Sequence, residues 1–374
     1  MSNIAPGLSP QQLLAGPRGR RLLLEFAVES EREALQDTSP LGSAVFDASY
    51  RLAKLDGQAV FRFGWGPGAN NPGNIPDARP EHVAALLTEA SLAEPTPELI
   101  RTCLASSVGA AMYWQPPDGG DLLAAAPAVR EALARVAEHV AHSRALAWLS
   151  APPARDDQWR LRWLDAKRRP AREPRAVLTR WLAAKMATEQ QCRVHRSTSP
   201  DDELSGLWWS RPPRDLPTTY GLLPDGTPSG LLFVEDTAGW TEADARRVVV
   251  AEPARIYEID GPEEWAELCR AHPLDVTATM RDDWGRTTGR RGRWVIPDWA
   301  RVAKRYDAAR LSYAGYLSSA GVPIPVDDET ASLIAGWDPD ATFWFIDVED
   351  VGRPVRWRCR GEVEEGNWAR HYVV

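Results

Sequence analysis

The apolar residues of this 374-residue chain change their spacing near position 190, and that change limits the folds open to it. In the first half they recur every three or four residues, the spacing of a helix with one buried face. The clearest stripe runs over 128–142, through Val129, Leu133, Val136, Ala137 and Val140. A second runs over 18–33 through Leu22, Leu23, Phe26 and Ala27, and further helices are expected over 43–55, 80–90, 97–106 and 176–190. Two helix starts are written out locally. Ser9-Pro10-Gln11-Gln12 places a hydroxyl at the N-cap, proline at the first helical position and glutamine at the third, and Thr96-Pro97 repeats the first two. Residues 58–63 read as a short strand, and 64–80, crowded with glycine, proline and asparagine, as a loop.

Beyond 190 the pattern shortens. Strands are expected over 255–259, 294–296, 308–317, 330–335, 341–348 and 355–359, with helices over 262–271 and from an N-cap at Asp298 to Tyr306. Strands gathered after a helical segment point to an α+β protein: a helical N-terminal domain followed by a mixed, mainly antiparallel sheet domain with short helices. We place the domains at 1–190 and 191–374; the polar stretch 155–175 offers an equally good boundary near 155.

Composition removes several classes. Forty-four Lys and Arg against fifty-two Asp and Glu give a formal charge of −8, which weighs against a long nucleic acid as partner. The four cysteines (103, 192, 269, 359) are far apart, without the paired spacing of a zinc knuckle or the density of a disulfide scaffold. The six histidines do not fall beside cysteines or carboxylates at a ligating interval, so no metal is expected. There is no long apolar run for a membrane span and no basic-then-apolar leader, so a soluble, cytoplasmic protein is expected. No phosphate-loop, HExxH or GxSxG motif occurs, and the Gly64-x-Gly66-x-Gly68 run has the wrong spacing for a dinucleotide fingerprint.

Two features remain. One is the 282–294 segment, which reads as a polar, glycine-containing loop between Trp284 and Trp294. Its cations, Arg286, Arg290, Arg291 and Arg293 with Arg281 beside it, suit a phosphate, and a small phosphorylated ligand or an acidic protein is favoured as partner. The other is a series of fragments after 193: Arg193-Val194-His195-Arg196-Ser197-Thr198, then Gly206-Leu207-Trp208-Trp209-Ser210, then Leu216-Pro217-Thr218-Thr219-Tyr220, Arg255-Ile256-Tyr257-Glu258-Ile259 and Tyr306-Asp307-Ala308.

In order and residue type these fragments resemble the ADP-ribosyltransferase-like fold between about 193 and 350. The resemblance implies an NAD-consuming ADP-ribosyltransferase or NAD glycohydrolase with NAD as substrate and a macromolecular acceptor left unknown. It makes His195 and Glu329 the catalytic residues, with Glu235 and Glu349 as rivals to Glu329. His195 or Arg196 would hold the NAD diphosphate or ribose, Ser210 would buttress the nicotinamide site, and Trp209 or Tyr220 would stack on the ring. The interval from His195 to Trp209 is short for the family, and no Glu-x-Glu ends a strand. The alternative is a non-enzymatic module that presents its seventeen tryptophans as a binding surface for a protein or other ligand.

Overall fold

The computed structural model describes residues 8–35, 39–60, 77–152, 155, 157–166, 173–195, 207–237, 239–250, 253–361 and 367–371. Seven α-helices come first: α1 Pro10–Ala15, α2 Pro17–Leu35, α3 Pro40–Leu55, α4 Pro80–Glu89, α5 Pro97–Gly109, α6 Gly119–Ala125 and α7 Pro127–Ala141, then a 3-10 segment, Arg144–Ser150. Proline opens α1 to α5 and α7, where its missing N–H costs nothing. Ser9 closes the expected capping box with Gln12, and the Thr96 hydroxyl accepts the Leu99 N–H at 3.1 Å. The α7 stripe is buried at all five positions named above.

The second part begins with strand β1, Gln158–Trp163, and the long helix α8, Pro174–His195. It continues with β2 Thr218–Thr219, β3 Glu242–Val249, β4 Ile256–Ile259, α9 Pro262–Ala271, β5 Pro273–Asp275, α10 Thr277–Thr288 and β6 Arg293–Pro297. The remaining elements are α11 Trp299–Val302, β7 Ala308–Leu311, α12 Tyr313–Ser319, β8 Ile324–Pro325, β9 Thr330–Ser332, β10 Thr342–Trp344, β11 Glu349–Cys359 and β12 Trp368–Arg370. Three four-stranded sheets result, ordered β1-β3-β11-β12, β2-β10-β7-β4 and β5-β6-β9-β8. Among the described strands, β4–β7 and β6–β9 pair in parallel and the other pairs are antiparallel. Helices first, then mixed and mainly antiparallel sheets: the chain is an α+β protein.

Several local expectations need correction. Residues 58–60 form no strand, and 61–76, with most of the glycine-rich loop, lie outside the described residues. The polar stretch after 155 contains β1, in which Trp159, Leu161 and Trp163 alternate with Arg160 and Arg162. The apolar three pack in a small cluster with Ala243, Ala245 and Trp357, while the arginines pair with Asp350 and Asp244. Strand 308–317 stops at Leu311, because Ser312 caps α12 by accepting the Gly315 N–H. The runs 330–335 and 341–348 shrink to three residues each, and 355–359 is the end of a strand that starts at Glu349. The 282–294 segment is mostly not a loop. Residues 277–288 are helical, Gly289 ends the helix in the left-handed region at φ +70°, and Trp284 and Trp294 are buried edge to face. Arg281, Arg286 and Arg293 each pair with a carboxylate of the chain itself.

One hydrophobic cluster takes in residues from Leu8 to Phe345 across both parts. Six tryptophans (265, 284, 294, 299, 337, 344) are among the largest fully buried side chains, and all of them but Trp344 belong to this cluster. None of the sixteen described tryptophans is exposed. Helix α12 packs against α1 and α2, so closely that a Cβ at Gly16 would lie 2.3 Å from the Leu317 carbonyl oxygen.

A buried charge ties α2 to its neighbours. Arg18 is wholly enclosed; it donates to the Ser107 carbonyl at 2.5 Å and pairs with the Asp121 carboxylate, while the Ser107 hydroxyl returns a bond to the Arg18 carbonyl. Burial opposes the charge, yet Asp121 and its neighbours more than offset it and raise the Arg18 pKa. Asp121→Ala would strand this guanidinium, so a loss of about 3–5 kcal/mol is expected in urea unfolding. Asp121→Asn, which keeps an acceptor, should lose less.

Candidate functional site

Helix α8 begins where the Glu173 carboxylate accepts the N–H groups of Arg175 and Ala176 at 2.9 and 2.7 Å. Along it, Val177, Trp181, Lys185 and Glu189 stand four residues apart and therefore share a face. Glu189 anchors the far end: its buried carboxylate accepts the Ala278 and Thr279 N–H groups and the Thr279 hydroxyl at the start of α10. Val177 is buried at the near end, and Trp181 and Lys185, between the anchors, are half-buried.

Opposite that face runs the segment 207–215. It has no regular structure but is pinned to the core. The Trp208 carbonyl accepts the Trp284 indole N–H at 2.9 Å, and the Ser210 carbonyl accepts that of Trp299 at 3.1 Å. Ser210 is fully buried, and both its hydroxyl and its N–H bond the backbone of Ala335. Trp209 lies on Gly336, whose φ is +69° and at which a Cβ would come within 2.1 Å of the indole. Glycine meets two demands there, positive φ and close approach. Two prolines, Pro212 and Pro213, separate Arg211 from Arg214 and fix their relative direction.

Between helix and segment lies an open cleft of about 420 Å³. Its walls carry two indoles, Trp181 and Trp209, and four cations, Arg180, Lys185, Arg211 and Arg214, against one carboxylate, Asp215. None of the four cations forms an ion pair among the described residues. Arg214 lies over the Trp209 ring, 5.7 Å from its centroid, and Arg211 lies 5.6 Å from that of Phe343. Burial, together with crowding of like charge, lowers the proton affinity of Lys185 and Arg211. Burial and then Arg211 push Lys185 down to about 8, and burial and then Arg214 push Arg211 down to about 10.

Next to the Arg211 side of the cleft is a turn, Gly336-Trp337-Asp338-Pro339-Asp340. Asp340, at φ +68°, accepts from Arg310 through one oxygen and from the Gly221 N–H and the Ser229 hydroxyl through the other. Asp338 accepts the Tyr220 hydroxyl at 3.0 Å and the Glu235 N–H at 2.9 Å. Glu235 accepts the Gly336 N–H at 2.6 Å through one oxygen, and the Tyr316 hydroxyl faces the same carboxyl group. Burial, then the charge of Asp338, raises the Glu235 carboxyl to about 8, and burial raises Asp338 as well.

The residues named from sequence are spread over this region and beyond it. Trp209 lines the cleft, and Tyr220, half-buried, joins the turn through Asp338. Ser210 is behind the cleft wall with its hydroxyl engaged. His195 is the last residue of α8, and Arg196 lies outside the described residues. Glu329 is exposed before β9, its carboxylate paired with Arg293, and Glu349 is exposed at the start of β11. Glu235, the rival, is the buried one, in contact with the turn. Sequence reasoning passed over Arg180, Trp181, Lys185, Arg211 and Arg214. The i+4 series on α8 and the Trp-Trp-Ser-Arg-Pro-Pro-Arg run were both legible, but nothing in the sequence says that they face each other. No family model, curated protein or solved structure matches the chain.

A glutamate that holds its proton up to about pH 8 when folded, against about 4.3 when unfolded, binds the extra proton in the folded state between those values. Stability therefore falls as pH rises through that window and levels off above it. Glu235→Gln should flatten this fall, measured as the urea midpoint at several pH values between 5 and 8.5. Parallel curves for the two proteins would show that Glu235 titrates normally.

Proposed function

We propose that this protein binds a small ligand that joins an anionic group, phosphate or carboxylate, to a flat ring, in the cleft between α8 and the 207–215 segment. The observation that carries this is the set of four cations without carboxylate partners among the described residues, gathered around two indoles. Guanidinium forks and an ammonium suit phosphate oxygens, and an indole face suits a ring. A volume of about 420 Å³ fits a nucleotide-sized molecule rather than a macromolecular chain. The acidic chain as a whole favours the same size class, since long polyanions need an extended basic surface.

An NAD-consuming transferase or glycohydrolase is the narrower form of this proposal, with NAD as the ring-bearing anion. It gains support from Trp209 in the cleft and Tyr220 near it. It also needs a carboxylate beside the ribose as nicotinamide leaves. Glu329 is engaged elsewhere with Arg293, which leaves Glu235, a buried group that would serve as a carboxylate only above about pH 8. The surface-binding alternative draws little from this structure, because the tryptophans turn inward.

Titration with ADP and with NAD, followed by tryptophan fluorescence and calorimetry, tests the broad form. Saturable binding that weakens with salt and drops at least tenfold in Arg211→Gln is expected. Nicotinamide release from NAD tests the narrow form. Absence of binding by ADP, NAD and an aryl phosphate at millimolar concentration would overturn the proposal.

A further inference from the structure

Lysine is rare in this chain. Counting along the sequence gives four, at 54, 167, 185 and 304, so forty of the forty-four basic residues are arginine. The single lysine of the cleft thus stands where three arginines already supply fixed positive charge. A fourth guanidinium would serve anion binding equally well. An amine differs from it in one chemical respect: it can lose its proton and act as a nucleophile.

The surroundings of Lys185 favour that loss. It is half-buried on the inner face of α8, one turn from Trp181, and it shares the cleft wall with Arg211, Arg180 and Arg214. The carboxylate one turn further along, Glu189, opposes that loss, but it is shared with the start of α10 and with Arg193, and burial and Arg211 outweigh it. Asp215 is the only carboxylate in the lining. Desolvation and like charge act in the same direction, and the lowered proton affinity described above follows from both.

From this placement we infer that Lys185 is an amine nucleophile that condenses with the carbonyl group of an anionic, ring-bearing aldehyde or ketone held in the cleft. The inference rests on the proposed function, since the same cations and indoles would hold the ligand. In the step, the Nζ lone pair forms a C–N bond to the carbonyl carbon while the C–O π pair moves to oxygen. Nitrogen gives up one proton and oxygen takes one up, which yields a carbinolamine. The hydroxyl then leaves with the second nitrogen proton as water, and a C=N bond remains. Atoms and electrons balance without any oxidant or reductant.

Pyridoxal 5′-phosphate is a suitable probe, because it carries a ring, a phosphate and an aldehyde. The full chain is incubated with it at pH 8, reduced with cyanoborohydride, digested and read by mass spectrometry. The other lysines are internal references. Labelling of Lys185 at least tenfold above Lys54 and Lys304 is expected. It should fall severalfold with pyridoxal, which lacks the phosphate, in Arg211→Gln, and when ADP competes. Lys185→Arg should leave the circular dichroism spectrum unchanged and abolish the selective adduct. Uniform labelling of the lysines, or a Lys185 no more reactive than Lys54, would overturn the inference. If ADP binds in the calorimeter while Lys185 stays unlabelled, the inference fails and the cleft reading stands. If pyridoxal labels Lys185 as well as its phosphate does, the anionic ligand class falls.

Discussion

Everything near the cleft depends on the turn that carries Asp338 and Asp340. The Asp340 carboxylate accepts from Arg310 on β7, from Gly221 and from Ser229, and so joins three segments distant in sequence. Asp338 adds Tyr220 and the backbone of Glu235. Between them the two carboxylates hold the 216–235 stretch against β7 and β10, elements too short to hold it through sheet bonds alone. Gly336, in the left-handed region, lets Trp209 settle on the same turn. Loss of this turn would remove the support of one cleft wall before it touched any cleft residue.

The chain spends its charges in two ways. Arg18 with Asp121, and Arg310 with Asp340, are buried pairs whose partners are supplied by the fold. Such pairs fix the arrangement more than they add to stability. The basic groups of the cleft lack that arrangement. They lie in a partly desolvated place and form no ion pair among the described residues, with Asp338, Glu235 and Glu189 acting on them only from a distance, a condition that favours binding an anion. Of the five arginines in or beside 282–294, which looked equally suited in the sequence, Arg281, Arg286 and Arg293 find carboxylates within the chain.

Tryptophan use follows the same division between packing and contact. Trp265, Trp299 and Trp337 pack edge to face or tilted at centroid distances of 5.6–6.2 Å, and their indole N–H groups bond to Ser332, Ser210 and Ala341. Each ring thus fills volume and satisfies a nearby polar group. Trp181 and Trp209, half-buried at the cleft, present an indole face beside cations that form no ion pair among the described residues. No helix among the described residues is long and apolar enough to cross a membrane.

The sequence alone determined the helical part, because its signals are local. Serine and threonine caps, proline at the first turn and a stripe every three to four residues need no distant partner to be read, and α2, α5, α7 and α9 appear where those signals place them. Short strands carry no such mark. A four-residue apolar run is compatible with strand or helix, which is why 308–317 divides at Ser312 and why β1 was hidden by its own arginines. The change of spacing still announced an α+β protein. What faces what was left to the tertiary structure. Trp208, Trp209 and Ser210 were visible as a group, but whether a hydroxyl is free or bonded depends on Ala335, 125 residues away. Lys185 and Arg211 meet only because Glu189 pins α8 at one end and Asp338 and Asp340 hold the turn at the other. Those are contacts between residues that no local pattern couples, and they alone set where charge lacks a partner.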